Sequence, residues 1–374
     1  MKLLHLADLH LGKRLNGFDL LEDQRHVLEQ TVQLCDTHGV NTVVLAGDLY
    51  DSSVPTADAS ALLSWFLTEL AVRGIVVVAI AGNHDSARRL DYGSRLLARQ
   101  GVHIAARFDG VPTRVMLHDR YGAVEFTLLP FVRTAAVQRA LPEANITDYA
   151  SAVTAVLDSV PVFSGRRVLV AHQLVTGSGQ APSPGGSETG LSGENADLTV
   201  DAALLEGYSY VALGHIHRPQ RAGADTIRYA GSPLCYHLDE CGAEKSAVLL
   251  NLGRRGVEDM QLLPLVPRRA MRHLTGPLEK LTAHPADTQD YIWATLTDET
   301  PLPDALALLR AVYPNTMKLE YACPPGRAVP DSVPLGKPLE ELFGDFFAMQ
   351  HGRGMTDAER RALLTLRHDR KEAE

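Results

Sequence analysis

The 374-residue chain has no long hydrophobic run. Its longest apolar stretches, such as Ile75 to Ala81, are far shorter than the ~20 residues that a membrane-spanning helix needs. His5, Asp8 and His10 interrupt the N-terminal region, which excludes the continuous apolar segment of a signal peptide. We therefore expect a cytoplasmic protein that does not bind a membrane.

Closely spaced cysteine pairs and a basic tail are missing as well. The four cysteines form no C-x-x-C pair, so neither a disulfide framework nor a thiolate zinc site is indicated. The formal net charge is −9 at pH 7, and acidic residues are in excess along the whole chain. Charge alone therefore argues against a nucleic-acid-binding protein, an expectation that the motifs below oppose.

The sequence instead contains short apolar runs between turn signals, and these runs predict buried strands. Helical patterns lie between several of them, at Asp23 to Thr37, Thr56 to Val72 and Ala87 to Arg99, which indicates a layered α/β domain. The predicted strands are Leu3 to Leu6, Thr42 to Ala46, Ile75 to Ala81, Ala123 to Leu129, Val168 to Ala171, Tyr210 to Leu213 and Ala247 to Leu252.

Polar side chains crowd the ends of five predicted strands, which is where open α/β sheets place their sites. These side chains are Asp8, His10, Asp48, Asn83, His84, Asp85, His172, His215 and His217. Carboxylate and amide oxygens suit Mn²⁺ or Mg²⁺, and imidazole suits the softer Mn²⁺. Two cations about 3.5–4 Å apart need a bridging carboxylate, and Asp48, which follows a glycine, is the natural bridge.

Each of these elements is weak when taken alone. A single D-x-H is commonplace, and a lone histidine after a strand, such as His172, is more often a packed or surface residue. His215 and His217 are equally compatible with chelation and with a structural role. The joint occurrence of five such elements, in order and at five strand exits, favours a metal centre.

The motifs resemble those of the calcineurin-like metallophosphoesterases: D-x-H, G-D-x-x-D, G-N-H-D/E, a single His and G-H-x-H. Within that superfamily the chain is similar to the SbcCD family of double-strand-break repair nucleases, which the segment Arg228 to Pro233 also matches, with Asp239-Glu240-Cys241 behind it. Phosphatases of the superfamily continue the second motif with Arg-Gly and usually place Glu after Asn-His. Here Ser52-Ser53 follows Asp51, and Asp85 replaces that Glu, so the resemblance favours a nuclease.

The resemblance implies a four-layer αββα sandwich that holds two divalent cations, Mn²⁺ first and Mg²⁺ as the alternative. It assigns one cation to Asp8, His10, Asp48 and His217, and the other to Asp48, Asn83, His172 and His215. It makes His84 the catalytic histidine. Asp51 and Asp85 are expected to orient His10 or His84 through the second ring nitrogen.

Three regions are expected from the same resemblance. Residues 1–265 form the nuclease domain, residues 266–325 form a small α+β capping domain, and residues 326–374 form a linker with C-terminal helices. An apolar stripe on the first of these helices is expected to bind an SbcC-type ATPase, with packing on the cap as the alternative. The stripe consists of Leu339, Leu342, Phe343, Phe346 and Phe347.

Three further features carry expectations of their own. Family members form homodimers within a heterotetramer, for which the helix run Leu62 to Leu67 is a candidate, although core burial explains that run equally well. A second C-terminal helix begins at Thr356, with Glu359 completing a capping box. The Gly-, Ser- and Pro-rich segment 176–193 is expected to be a mobile surface loop.

The expected activity is exonuclease on double-stranded DNA and endonuclease on hairpin or single-stranded DNA, at the nucleoid. DNA contacts are predicted at Lys13, Arg14, Arg88 and Arg218, which flank the motifs. Arg88, with Arg95 and Arg99, would share one face of a helix over 87–99, with a solvated face as the alternative reading. The rival functions are a phosphoesterase for small substrates and a non-catalytic scaffold that binds DNA ends.

Overall fold

The structure is a computed structural model that describes residues 1–177, 181–183, 185–186, 198–283, 285, 288–322, 339–351, 353–356 and 359–360. The chain divides into two compact units, Met1–Ala322 and Cys323–Glu374. The predicted linker before residue 339 and much of the predicted loop 176–193 lie outside the described residues.

All seven predicted strands are confirmed to within two residues at each end. In the described residues the strands are β1 Lys2–Leu6, β2 Arg14–Leu15, β3 Phe18–Asp19, β4 Thr42–Ala46, β5 Val76–Ile80, β6 Val102–Ala105, β7 Thr113–Asp119, β8 Gly122–Leu129, β9 Arg166–His172, β10 Leu174–Thr176, β11 Thr199–Asp201, β12 Tyr210–Gly214, β13 Gln220–Ala222, β14 Ala224–Tyr229, β15 Ser246–Leu252, β16 Val257–Pro264, β17 Met271–Gly276, β18 Tyr291–Leu296 and β19 Thr316–Tyr321.

Nine α-helices lie in the same described ranges. They are α1 Leu21–His38, α2 Ala57–Val72, α3 Ala87–Leu90, α4 Ser94–Ala98, α5 Thr134–Ala140, α6 Tyr149–Asp158, α7 Leu278–Ala283, α8 Ala305–Val312 and α9 Leu339–His351. Helix α1 ends at Gly39, which adopts the left-handed conformation of a C-cap (φ 64°). Helix α2 begins at Thr56, whose hydroxyl accepts the amide N–H of Ala59 at 3.2 Å.

Two six-stranded sheets form the body of the larger unit. Their strand orders are β16-β15-β1-β4-β5-β6 and β13-β14-β12-β9-β8-β7. Strands β1, β4, β5 and β6 run parallel in the first sheet, and β8, β9, β12 and β14 run parallel in the second. Because parallel strands end together, each sheet brings its carboxyl ends to one edge.

The side chains of β4 show how the sheets are buried on both faces. Val44 and Ala46 point into a core shared with Phe126 and Val170 of the second sheet. Val43 and Leu45 point the other way, into a core with the apolar faces of α1 and α2. Helices α5 and α6 cover the outer face of the second sheet. The predicted four-layer αββα sandwich is confirmed, and burial on both faces explains the unbroken apolar strands.

The predicted continuous helix over 87–99 is wrong. Gly93 has φ 75° and separates α3 from α4, because a left-handed residue interrupts the α-helical path. Arg88 therefore does not share a helical face with Arg95 and Arg99, since the 3.6-residue period does not continue across the break.

The candidate dimer run on α2 is mostly core. Leu62, Leu63, Phe66 and Leu67 are buried against the first sheet. Trp65 is half-buried, with the Arg25 guanidinium 5.1 Å from its ring centroid. The alternative reading of this run, core burial, is the one that the structure shows.

The segment after β16 has strands β17, β18 and β19 in one parallel sheet, with α7 and α8 between them. The two helices enclose a small core around Leu296 and Leu309. Trp293 and Met317 face the core of α1 and α2 instead. This segment therefore packs within the same unit as the two large sheets.

The C-terminal unit contains the predicted amphipathic helix as α9. Phe343 and Phe346 are exposed, with ring centroids 6.3 Å apart, while Leu342 and Phe347 are half-buried. The side chain of Leu339 lies outside the described residues. The predicted capping box is present, since the amides of Thr356 and Glu359 each donate to the other residue's side chain. Among the described residues, no helix combines the length and apolar character needed to cross a bilayer.

Candidate metal centre

The loops after β1 and β4 lie side by side at the edge of the first sheet. The amide of Asp8 donates to the Gly47 carbonyl at 3.1 Å, and that of His10 donates to the Asp48 carbonyl at 2.9 Å. Asp8, His10 and Asp48 have φ of 53°, 45° and 48°. Non-glycine residues rarely adopt this left-handed conformation, and such backbone strain is concentrated at functional sites.

Two glycines let the strand exits approach each other. A Cβ atom on Gly47 would lie 2.2 Å from His172 Nδ1, and one on Gly82 would lie 2.1 Å from Asp48 Oδ1. Gly47 also has φ 89°. The sequence therefore places glycine where an added side chain would push the polar groups apart.

We call Asp8, His10 and His217 the first half of the site. Their ligand atoms lie within 4.8 Å of one another, and the Nε2 atoms of His10 and His217 are 3.1 Å apart. His10 Nδ1 lies 3.2 Å from the Asp51 carboxylate, and His217 Nδ1 lies 3.5 Å from the Glu240 carboxylate. With both Nδ1 atoms turned to carboxylates, the two Nε2 lone pairs face each other, an arrangement that a cation between them stabilises.

Glu240 is the most informative residue that the motifs did not assign. Its buried carboxylate is paired with the Lys245 ammonium, which also donates to the His217 carbonyl at 3.0 Å. Burial opposes ionisation of Glu240, but the contacts with His217 and Lys245 outweigh it and lower its pKa to about 2. The resemblance includes it in Asp239-Glu240-Cys241, behind the segment Arg228 to Pro233, but gives it no role.

We call Asn83, His172 and His215 the second half. His172 Nδ1 donates to the Ala46 carbonyl at 2.8 Å, so its Nε2 faces Asn83 Oδ1 at 3.1 Å and Asp48 Oδ2 at 3.2 Å. His215 Nδ1 is 3.3 Å from the same Asn83 oxygen. Burial lowers the pKa of His172, but the Asp48 charge outweighs it and raises that pKa to about 9; burial lowers the pKa of His215 to about 3.

Asp48 lies between the two halves, and Asp8 of the first half also contacts the second. Asp48 Oδ2 is 3.6 Å from His10 Nε2 as well as 3.2 Å from His172 Nε2, so it faces both halves. Burial opposes its ionisation, but the neighbouring His172 holds its pKa well below the usual range. Asp8 Oδ1 accepts the His215 amide at 2.9 Å, while its Oδ2 is buried with no hydrogen-bond partner among the described residues. Burial raises the pKa of Asp8 to about 6.

The seven predicted ligands therefore converge, and their chemistry fits divalent cations. An orphaned carboxylate oxygen and the opposed imidazole lone pairs lack the positive charge that would satisfy them. The centre would bind such cations with mixed oxygen and nitrogen ligands. Which ligand belongs to which cation stays a prediction.

His84 lies beside this centre. Its Nδ1 donates to the Asp51 carbonyl at 3.0 Å, because a carbonyl oxygen only accepts, so Nε2 is left as the ring nitrogen for proton exchange. Its ring centroid is 4.8 Å from that of His10, and its amide donates to Asp48 Oδ1 at 2.9 Å. Its catalytic role stays a prediction.

The two predicted orienting carboxylates differ. Asp51 does face His10, as given above. Asp85 instead accepts the amides of Leu49, Tyr50 and Gly82 at 2.9–3.0 Å. Its described contacts thus fix the loop backbone rather than a histidine ring, which corrects the expectation for Asp85.

The predicted DNA-contact residues are not equally available. Lys13 Nζ lies 2.7 Å from Asp51, and the Arg218 guanidinium donates to the Asp239 carbonyl at 2.8 Å. Arg14 and Arg88 are exposed, and Arg14 makes one weak contact with the Gly17 carbonyl at 3.2 Å. Exposure therefore favours Arg14 and Arg88 over the other two.

Comparison with known proteins agrees with this geometry. The chain is 29% identical over 326 residues to the SbcD component of the nuclease SbcCD of Staphylococcus epidermidis, a match that covers 85% of each protein, and this confirms the predicted resemblance. Residues 267–351 match the Type 5 capsule protein repressor C-terminal domain.

Two solved structures match the chain with low TM-scores. A dimetal phosphatase from Danio rerio has a TM-score of 0.37 and 12% identity, covering 71% of this chain and 99% of that protein. GAP50, the anchor in the inner membrane complex of Plasmodium, has a TM-score of 0.38 and 13% identity, covering 90% of this chain and 99% of its own.

The family follows from the sequence match that covers the site. The profile of the calcineurin-like phosphoesterases matches residues 1–219, which is more than half of the chain and includes every predicted ligand and His84. The chain belongs to the calcineurin-like phosphoesterase family.

Proposed function

We propose that the protein is a metal-dependent DNA nuclease that hydrolyses phosphodiester bonds with two divalent cations. The convergence of seven ligand side chains beside His84 carries the proposal. The curated relative, a nuclease component that shares 29% identity, supports a nucleic-acid substrate over a small ester. We assign His84 as the general acid, the seven converging residues as ligands, and Asp51 and Glu240 as the groups that orient His10 and His217.

The cations, when bound, supply Lewis-acid stabilisation to the phosphate. His84 donates a proton from Nε2 to the leaving oxygen, because its Nδ1 is held by the Asp51 carbonyl. The Asp51 carboxylate also lies 3.2 Å from His10 Nδ1, so one residue contacts both rings. Mn²⁺ suits the site better than Mg²⁺, since four of the seven proposed ligands are imidazoles.

The proposed substrates are double-stranded DNA, cleaved from its ends, and hairpin or single-stranded DNA, cleaved internally. The proposed partner is an SbcC-type ATPase that binds the exposed Phe343 and Phe346 of α9, in a heterotetramer with two copies of this chain. Residues 1–265 would act as the nuclease domain, 266–325 as the cap and 326–374 as the partner-binding tail. A nuclease with these substrates would act at the nucleoid.

One assay separates this function from its rivals. The full chain is incubated with Mn²⁺ and linear duplex DNA, hairpin DNA or bis(p-nitrophenyl) phosphate, with and without the ATPase. We expect cleavage of the DNAs that EDTA abolishes. Cleavage of the aryl ester alone would indicate a small-substrate phosphoesterase, and DNA binding without any cleavage would indicate a scaffold.

A further inference from the structure

A cleft of about 610 Å³ opens directly on the metal centre. Its lining includes Asn83, His84 and His215 together with Phe131, Arg133 and Thr134. The first three belong to the proposed catalytic machinery, whereas the sequence motifs give no role to the second three. Phe131, Arg133 and Thr134, which we call the wall, are therefore unassigned surface of the same cleft that the metal centre lines.

The backbone of this wall is fixed to the metal-binding strands. The Phe131 amide donates to the Ala81 carbonyl at 3.0 Å, two residues before Asn83. Gln173, which directly follows the ligand His172, donates to the Pro130 carbonyl at 3.1 Å. Buried Tyr149 donates in turn to the Gln173 side chain. Phe131 is thereby held in register with both halves of the site.

Two side chains of the wall, Phe131 and Arg133, have complementary chemistry. Phe131 is a half-buried aromatic ring on the cleft. Arg133 is exposed, and no carboxylate partner for it is found in the described part of the chain. An aromatic face next to an unpaired guanidinium is the combination that binds one nucleotide, by base stacking and by phosphate contact.

We propose that Phe131 and Arg133 form the seat for one unpaired nucleotide of the DNA strand that is cleaved, an inference that rests on the proposed function. The cleft volume falls within the roughly 300–1,000 Å³ of pockets that bind one small ligand, a size that suits a single nucleotide. The seat accepts any base, because every base has a π-face. A duplex end must fray before its terminal nucleotide enters, whereas a hairpin loop or single strand enters directly.

Steady-state cleavage by the full chain with Mn²⁺ tests the seat on two strands. One is a single-stranded oligodeoxynucleotide, and the other has the same backbone with abasic tetrahydrofuran sugars throughout. We expect Phe131→Leu to raise KM about tenfold on the normal strand, with little change in kcat, and to leave KM on the abasic strand unchanged. Phe131→Tyr keeps an aromatic face and should behave like the wild type.

Arg133→Gln is expected to raise KM about fivefold to tenfold on both strands, because both contain the phosphates. Arg133→Lys should restore part of the loss. Arg139→Gln is the matched control, since Arg139 is an exposed arginine on α5 outside the cleft, and its KM should not change.

The outcomes separate this inference from the proposed function. If the wild type cleaves the normal strand and Phe131→Leu has the same KM, the proposed nucleotide seat is overturned. The proposed nuclease function then still stands. A wild-type protein that cleaves neither strand overturns the nuclease. In that case fluorescence anisotropy of the labelled strands, without metal, still decides the seat: equal affinity of wild type and Phe131→Leu for the normal strand overturns it.

Discussion

The two halves of the metal centre hold their imidazoles in different ways. In the first half, His10 and His217 each turn Nδ1 to a carboxylate, Asp51 and Glu240. In the second half, His172 turns Nδ1 to the backbone carbonyl of Ala46. A carboxylate behind an imidazole raises its basicity more than a neutral carbonyl does. We therefore expect the first half to bind a cation more tightly than the second.

The charges around the two halves also favour tighter cation binding in the first half. The second half has a neutral amide, Asn83, where the first half has Asp8. In the absence of cations, the second half carries a proton on His172, whose pKa is about 9. A cation that enters the second half must displace that proton, whereas burial keeps His10, with a pKa of about 4, neutral in the first half.

The largest expected effect removes the carboxylate that both halves share. Asp48→Asn should abolish measurable binding of two Mn²⁺ ions and with it cleavage, because Asp48 Oδ2 faces His10 and His172 together. Isothermal titration calorimetry with MnCl₂ measures this, and circular dichroism checks that the variant is folded. Asp259→Asn, on an exposed strand position, is the control. Retention of either binding event at wild-type affinity would contradict the bridging position.

A second change should affect neither half. His84→Gln is expected to lower kcat on DNA by about 10²–10⁴-fold, the usual contribution of a general acid, while Mn²⁺ affinity stays within twofold. Both are measured on the same preparation, by cleavage kinetics and by calorimetry. A large loss of Mn²⁺ affinity would make His84 a ligand, which its position within 4.8 Å of His10 and Asp48 permits geometrically.

Glu240→Gln separates the halves directly. The amide keeps the shape but loses the charge behind His217, so one of the two Mn²⁺ affinities should fall by about 10–100-fold and the other should not change. Glu244→Gln, an exposed change four residues away, is the matched control. If both affinities fell equally, the two halves would not be independent and the comparison would fail.

Lowering the pH should weaken cation binding in the second half before it does so in the first. As pH falls from 9 towards 6, the free protein gains a proton on His172, so the affinity of that half drops by about tenfold per pH unit. Below pH 6, Asp8 also takes up a proton, and the first half weakens in turn. Titrations in buffers of different ionisation enthalpy count the protons released. Release of no proton at pH 7 would show that His172 is neutral in the free protein.

The smallest expected effect is on DNA binding, from a residue outside the metal centre. Arg14→Gln should weaken DNA binding only slightly but reduce the slope of log K against log salt by about 1, as expected for one lost phosphate contact. Lys13→Gln should change the slope less, because Lys13 is already paired with Asp51. Anisotropy titrations at several salt concentrations give both slopes, and equal slopes for wild type and Arg14→Gln would remove Arg14 from the interface.

The sequence predicts the buried strands and their polar exits well, because both are local patterns. Strand β4 is an unbroken apolar run followed by Gly47 and Asp48, and these six or seven residues suffice to place it. The position of a strand within the sheet cannot be predicted from such a local pattern. That β1 lies between β4 and β15 depends on pairing across more than 200 residues, which no local window contains.

The errors have the same physical origin. The apolar and basic spacing over 87–99 suits one helix, but Gly93 ends the path, and a single glycine inside a helical pattern does not reveal that it is left-handed. The resemblance includes Glu240 without a role and Lys245 was missed, because the importance of both arises only where the chain folds back on His217. Sequence motifs identify the proposed metal ligands more clearly than the residues that orient those ligands.

The position of β1 has a consequence for the newly made chain. Strand β1 carries Asp8 at its exit and is bonded on one edge by β15, residues Ser246–Leu252. A ribosome that adds roughly 5–20 residues per second needs roughly 12–50 s to reach that strand. Until then one edge of β1 is open to pairing with another nascent chain. The segment 1–219 that defines the family therefore ends before the strand that completes its own first sheet, and a fragment cut there should aggregate rather than assemble the centre.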